Sequence, residues 1–333
     1  MPDGDNPHMH LRSLIAAAAV GLNAAGGAIA SEGGIIADVN ATANLLAGNE
    51  TSGERAIARS KTWKSHRAAM KRAWSSYEKA TLDPMSEWSR QHIAPHLPRG
   101  GVVRYAFSGP DVLHVLRMFP DADSYILCGL EPVGSLPRSD ILRGLGAGTA
   151  LAEIRKILEE SIRFSFFKTK DMRVELASAS YGGTLPIMCL FLARSGFEIT
   201  GIEFLELAGN GRVSPQRSGR APASAVRIDA KSRRGGRKSI YYFRTNIADG
   251  SISKSGFLAF MESLAPGGSY VKSASYLMHN SYFSQIRNHL LASSTVLVQV
   301  GQGVESRVIV PPITLESPGQ RRTFPFVIVA ATP

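Results

Sequence analysis

VVRYAFSGPDVLHVLRMFPDADSYILCGLEPVGSLP, residues 102–137, decides how the rest of the chain is read. Residues 102–107 form an apolar run that stops at Ser108-Gly109-Pro110-Asp111, a cluster of turn formers. A short apolar segment to Met118 follows, and then a second strand-like run, 124–129, that delivers Glu131 just past its end. Strand, short helix and strand in so few residues predict a β-α-β unit, in which the two strands run parallel.

Downstream the same alternation continues. Residues 151–167 are helical by period, with Ile154, Leu158, Ile162 and Phe166 on one stripe and Arg155 placed four before Glu159. A strand is expected at 172–177. The turn Tyr181-Gly182-Gly183-Thr184 then opens an apolar helix, 185–194, which Ser195-Gly196 stops before the alternating strand 197–207. Residues 226–230 and 239–245 read as strands around a basic loop, 231–238. A helix at 257–264, a turn at Pro266-Gly267-Gly268, a strand at 270–274, a helix at 275–291 and a strand at 295–300 complete the pattern. Together these predict an α/β fold: a mixed, mainly parallel Rossmann-like sheet with crossover helices and an added β-hairpin.

Upstream, residues 53–79 turn helical. Trp63 and Trp74 lie about three turns apart on one face with Ile57 and Met70, while Arg55, Arg59, Lys61, Lys64, Arg67, Lys71 and Arg72 supply the rest. Such a helix either docks its Trp stripe on its own domain or lies on an anionic surface. Pro84, Pro95 and Pro98 then predict a loop-rich passage containing Trp88, His92 and His96. A single α/β domain is expected over 53–300, preceded by an Ala-, Gly- and Asn-rich linker at 31–52. Residues 11–30, LRSLIAAAAVGLNAAGGAIA, have the layout of a secretory signal peptide, with an Ala28-Ile29-Ala30 exit before Ser31. A periplasmic or secreted location is therefore expected.

Composition narrows the partners. The 333 residues are 44% hydrophobic, enough for a substantial core. Lys+Arg 38 against Asp+Glu 27 gives a formal charge of +11, so an anionic small molecule or polymer is a reasonable partner, although no base-reading motif accompanies the charge. Cys128 and Cys189 sit inside apolar runs and read as small buried hydrophobes, without metal-ligand spacing. The sequence contains no GxSxG elbow, HExxH, Walker A or EF-hand loop, which argues against hydrolase and nucleotide-triphosphatase classes.

In an open α/β sheet, ligands bind beyond the carboxyl ends of the strands, and that rule selects the first turn. Ser108 is expected to cap the following helix, with Asp111 answering as in a capping box and Pro110 in the first turn. The competing reading is a backbone cradle for an anion, with Gly109 allowing close approach. Glu131 follows Gly109 by roughly 20 residues, where a dinucleotide or S-adenosylmethionine fold keeps its ribose-binding acid. Asp111 and Glu131, if they converge, equally suit an acid/base pair or hard-metal ligands. Lys272, Tyr276 and His279 are expected at the edge of the same crevice.

The segments YAFSGPD, GLEPVGSLP and KSASYLMH resemble an uncharacterised group of bacterial exported proteins, over roughly residues 60–300. The resemblance implies that the three segments belong to one site or one core, and it carries no activity, cofactor or substrate. Residues 301–333, with few acidic residues and several prolines, depart from that group's pattern and read as a truncated or frame-shifted tail.

Three functional classes follow. The first is an exported protein binding a small or anionic ligand at Ser108, Gly109, Asp111, Glu131, Lys272 and His279. The second is a methyltransferase-like enzyme, suggested by the spacing of Gly109 and Glu131 and by the Pro-Gly-Gly turn. The third is a module for anionic polymer, using the basic helix and the hairpin tip Arg233, Arg234, Arg237 and Lys238. N-terminal sequencing of the protein expressed in a bacterial host is expected to find a mature periplasmic chain beginning at Ser31; an intact Met1 in the cytosol would overturn the export reading.

Overall fold

A computed structural model describes residues 32–50, 59–97, 99–136, 147–164, 182–216, 222–233, 235–272, 275–278, 280–300, 308–309, 313–317, 320–324 and 326–330. Two helices open it, Glu32–Ala47 (α1) and Lys61–Tyr77 (α2); a π-type turn, Glu78–Leu82, carries α2 into Asp83–His92 (α3). The central unit is strand Val102–Tyr105 (β1), helix Val112–Met118 (α4) and strand Ser124–Gly129 (β2). Helices Ala147–Phe164 (α5) and Leu185–Arg194 (α6) lead to strands Phe197–Leu207 (β3), Val213–Pro215 (β4), Ala225–Ser232 (β5) and Arg237–Arg244 (β6). Helices Asp249–Ser255 (α7) and Phe257–Glu262 (α8), strand Gly267–Val271 (β7), helix Ser284–Ser293 (α9) and strand Ser294–Val300 (β8) follow. Short strands Val308–Ile309 (β9), Ile313–Ser317 (β10), Gln320–Phe324 (β11) and Phe326–Ala330 (β12) come last. One compact unit runs from Ile36 to Pro333.

The main sheet has the order β4-β3-β5-β6-β2-β1-β7-β8-β12-β9. Its centre, β6-β2-β1-β7-β8, is parallel, while β3, β4 and β5 on one flank and β12 on the other pair antiparallel. The fold is therefore α/β with a mixed sheet. The two-residue period of a strand sends Tyr125 and Leu127 to one face of β2, and Ile126 and Cys128 to the other. On the first face they meet α1 to α6; on the second they meet α7, α8 and α9. Central strands covered on both faces account for the nearly continuous apolar runs at 102–107 and 124–129.

The Trp stripe docks on its own domain. Trp63, His66, Met70, Trp74 and Tyr77 are buried, with Trp74 against Phe191 and under the Arg194 guanidinium, while Lys61, Lys64, Arg67, Lys71 and Arg72 are exposed. Ile57, expected on the same face, lies outside the described residues.

Three expectations need correction. Residues 32–47, read as linker, are helical and bury Ala43, Leu45 and Leu46. The Asn40 amide of this helix donates to Ile199 O at 2.7 Å and accepts from Ile199 N at 2.9 Å, serving backbone groups beside the irregularity between Ile199 and Gly201 in β3. Residues 83–92, read as loop, are helical, because Pro84 falls in the first turn, where its missing N–H removes no helical bond. The helix expected over 275–291 begins only at Ser284. There the Asp249 carboxylate accepts from Ser284 N at 3.0 Å and from Gln285 N at 2.9 Å, so it caps α9 from another helix. In the atypical tail, residues 326–330 form a strand antiparallel to β8. The leader 11–30, the turn residue Tyr181 and the strand expected at 172–177 fall outside the described residues.

Trp74→Ala removes a large buried ring from the seam between α2 and α6 and is expected to cost about 3–5 kcal/mol. Urea unfolding checks this; a loss below about 1 kcal/mol would mean that the ring is not part of the core.

Candidate functional site

The strand order reverses beside β1. From β1 the chain passes through α4 to β2 on one side, and from β7 it passes through α9 to β8 on the other. The carboxyl ends of β1 and β7 therefore border the gap from which their connections diverge. β1 ends through Phe107 at φ 51, in the left-handed region that non-glycine residues rarely occupy, and Gly109 follows at φ 53, where a glycine is at ease.

This double reversal places Asp111 as the N-cap of α4, accepting from His114 N at 3.2 Å. The expected capping box is corrected accordingly. Ser108 is not the cap: its hydroxyl accepts from Cys128 N at 3.1 Å and fastens the end of β1 to β2. The expected anion cradle has few free donors, since Gly109 N donates to Cys128 O at 3.2 Å and Asp111 N to Ser108 O at 3.3 Å.

Asp111 is fully buried, and its carboxylate gathers partners from several elements. Tyr105 at the end of β1 donates to Oδ2 at 2.8 Å; Lys272, one residue past β7, reaches the same oxygen at 3.2 Å; His114 Nδ1 lies 2.5 Å from Oδ1. His114 Nδ1 is also 2.9 Å from Lys272 Nζ, and its Nε2 is 2.5 Å from the hydroxyl of Tyr77 on α2. Burial would raise the Asp111 pKa, but the charges of His114 and Lys272 and the bonds from His114 and Tyr105 outweigh it and hold it at about 2. Burial lowers both His114 and Lys272, against the pull of Asp111. The arrangement is a carboxylate, an imidazole and an amine in mutual contact, with a phenol on each side. Such a group is equipped to hold and move protons.

Glu131 stands beside this cluster. The residues after β2 run along the start of α6, with Thr184 N donating to Pro132 O at 3.0 Å and Leu185 N to Val133 O at 2.9 Å. Tyr242 on β6 donates to the Glu131 carbonyl at 2.9 Å and lies 3.2 Å from its carboxylate. Any side chain at Gly129 would overlap that carboxylate and the Tyr242 hydroxyl, so the close approach requires glycine there. The Glu131 carboxylate is buried and faces Gly109.

Of the residues expected to converge, Ser108, Gly109, Asp111, Glu131 and Lys272 do lie together at the strand ends. His279 and Arg234 fall outside the described residues. In the connection between β5 and β6 Arg233 and Arg237 are exposed, but the Lys238 ammonium donates to Pro120 O at 2.7 Å and Ala122 O at 2.5 Å, tying this connection to the loop after α4. Cys128 and Cys189 are buried and free, with burial pushing the Cys128 thiol up to about 12. Among the described residues no cluster of His, Cys, Asp and Glu has the makings of a metal site, and no helix is long and apolar enough to cross a membrane.

Sequence reasoning missed His114, Tyr77, Tyr105 and Tyr242. His114 was accessible from its i, i+3 spacing to Asp111; the tyrosines read as core residues because their rings are core and only their hydroxyls reach the site. No protein-family model, curated protein or solved structure matches the chain.

Because the folded-state pKa of Asp111 lies below its unfolded value near 3.9, its contribution is present above about pH 4 and is lost as pH falls toward 2, on the order of 2 kcal/mol. Asp111→Asn is expected to cost about 3–5 kcal/mol at pH 7 by stranding two buried bases, against about 1 kcal/mol for a cap alone. Urea unfolding of the variant separates the two roles.

Proposed function

We propose that the chain is a doubly wound, Rossmann-like protein that binds a small polar or anionic ligand where β1 and β7 part. One observation carries this reading: Asp111 and Lys272, delivered from the carboxyl ends of those two strands, meet at 3.2 Å at the point where the strand order reverses. A crevice at such a point is the usual ligand site of an open α/β sheet. A structural ion pair could have been satisfied anywhere in the fold; this one sits there with two further titratable groups, and perturbed titratable groups cluster at functional sites. The ligand would meet Lys272 first, since its side chain keeps 7% exposure while that of Asp111 is 0% exposed.

Lys272→Met tests the reading because it removes the amine and spares the apolar stem. Thermal unfolding is measured against a panel of small carboxylates, sugar phosphates and nucleosides. At one hundred times its Kd a true ligand stabilises by about 2.7 kcal/mol, and the variant is expected to lose that response. The reading falls if no member of the panel raises the melting temperature, or if the variant responds equally.

A methyltransferase-like enzyme is the second reading. It is favoured by the Glu131 carboxylate, held by Tyr242 at the end of β2 and facing Gly109, the position from which an acid reaches a cofactor ribose. Calorimetry with S-adenosylmethionine is expected to show binding that Glu131→Gln weakens at least about ten-fold, the equivalent of one charge-assisted hydrogen bond. Absence of heat at high micromolar cofactor removes this reading and leaves the first standing.

The exposed cations of α2, with Arg233 and Arg237, support the third class, an anionic polymer module, only as a charged face; among the described residues the Trp stripe is docked on the domain and Lys238 is tethered, so neither is offered to a polymer.

A further inference from the structure

The contacts around His114 constrain where the protons are. Its Nδ1 is 2.5 Å from Asp111 Oδ1 and 2.9 Å from Lys272 Nζ. An imidazole nitrogen carries either a proton or a lone pair. A lone pair on Nδ1 would face the lone pairs of the carboxylate, so Nδ1 carries a proton and donates it to Asp111. Lys272 Nζ lies beside that bond, 3.2 Å from Oδ2, and as an ammonium it pairs with the carboxylate. On loss of one proton to the imidazole cluster, its lone pair is free to turn toward Nδ1–H or toward a carbonyl in the crevice while a remaining N–H still donates to Oδ2.

The groups facing the amine are consistent with this. Asp111 is the carboxylate in ion-pair contact with Lys272 among the described residues, and it already accepts from Tyr105 and from His114. His114 and, behind it, Arg117 add positive character nearby, while Tyr77 and Tyr270 contribute neutral phenols whose hydroxyls are buried. Burial lowers the Lys272 pKa from the ordinary lysine value, as it does for lysines that serve as bases and imine-forming nucleophiles.

We propose that Lys272 is a reactive primary amine that condenses with the aldehyde or ketone carbonyl of a small molecule bound in the crevice. The nitrogen lone pair adds to the carbonyl carbon, and the C=O π electrons move to oxygen. The two N–H protons then leave the nitrogen and depart with that oxygen as water, and a C=N double bond remains. No electron is gained or lost. His114, whose Nδ1 touches Nζ and whose Nε2 touches Tyr77, is the group placed to carry the protons. This inference rests on the crevice reading and names the ligand class for it.

The test uses the full chain at pH 7 with glyoxylate or propionaldehyde as probe and cyanoborohydride to trap the imine, read by peptide mass spectrometry. Lys272 is expected to be captured at least about ten-fold faster than the exposed Lys61 and Lys64, because a carbonyl bound in the crevice is held against its amine and burial favours the neutral form. The advantage is expected to shrink as pH rises toward 10, where exposed lysines also lose their protons. Capture of Lys272 no faster than that of Lys61 in the folded protein, with equal capture in urea, overturns the proposal. Lys272→Arg removes the primary amine and is expected to abolish the fast phase, with its urea unfolding measured alongside to show that the fold is kept. If a probe stabilises the protein without being trapped, the amine chemistry fails and the crevice survives; if neither probe stabilises nor is trapped, both fall.

Discussion

A carboxylate removed from water needs donors, and Asp111 is such a group at the centre of this fold. Its burial would cost several kcal/mol if it stood alone. The donors that offset the cost come from β1, from α4 and from the residue after β7, and α2 holds the imidazole from behind through Tyr77. Its full set of bonds therefore draws on the parallel centre of the sheet and its first helical layer together. Stability and site geometry are therefore one constraint here.

Much of the fold was legible because it rests on local signals. The β1-α4-β2 unit declares itself through two apolar runs separated by Ser-Gly-Pro-Asp, and α6 and β3 through a stop at Ser195-Gly196. The misreadings have physical causes. Residues 32–47 carry the small and polar side chains of a linker, yet Ala43, Leu45 and Leu46 are enough to dock a helix, and Asn40 has a backbone partner on β3 that sequence cannot reveal. Ser108 and Asp111 both suit an N-cap, and the choice between them depends on Cys128 N, whose bond draws Ser108 to β2.

For the site, Asp111, Glu131 and Lys272 were visible as residues, but the partnership of Asp111 with Lys272 spans most of the domain in sequence and follows from the pairing of β1 with β7. The roles of Tyr77, Tyr105 and Tyr242 were hidden for a different reason. Each buries its ring as a core residue should and exposes to the site only a hydroxyl, so periodicity reports the ring and stays silent about the oxygen.

The two buried basic side chains of the parallel centre have different surroundings. Arg104 on β1 points to the opposite face, where its guanidinium donates to the carbonyls of Ala265 at 2.7 Å and Leu264 at 3.4 Å, just after α8. Burial pulls its pKa to about 10, which still leaves it charged at neutral pH, and a permanent cation suits the negative end of a helix. Lys272, two residues beyond the β7 position that pairs with Tyr105, has a base and an acid for neighbours instead of carbonyls. Burial lowers the Lys272 pKa as well, against the pull of Asp111. An arginine at 272 would fix a charge between the strand ends, and a lysine at 104 would cap the helix with a group that burial could discharge. Of the two, the lysine is the one placed where the strands part.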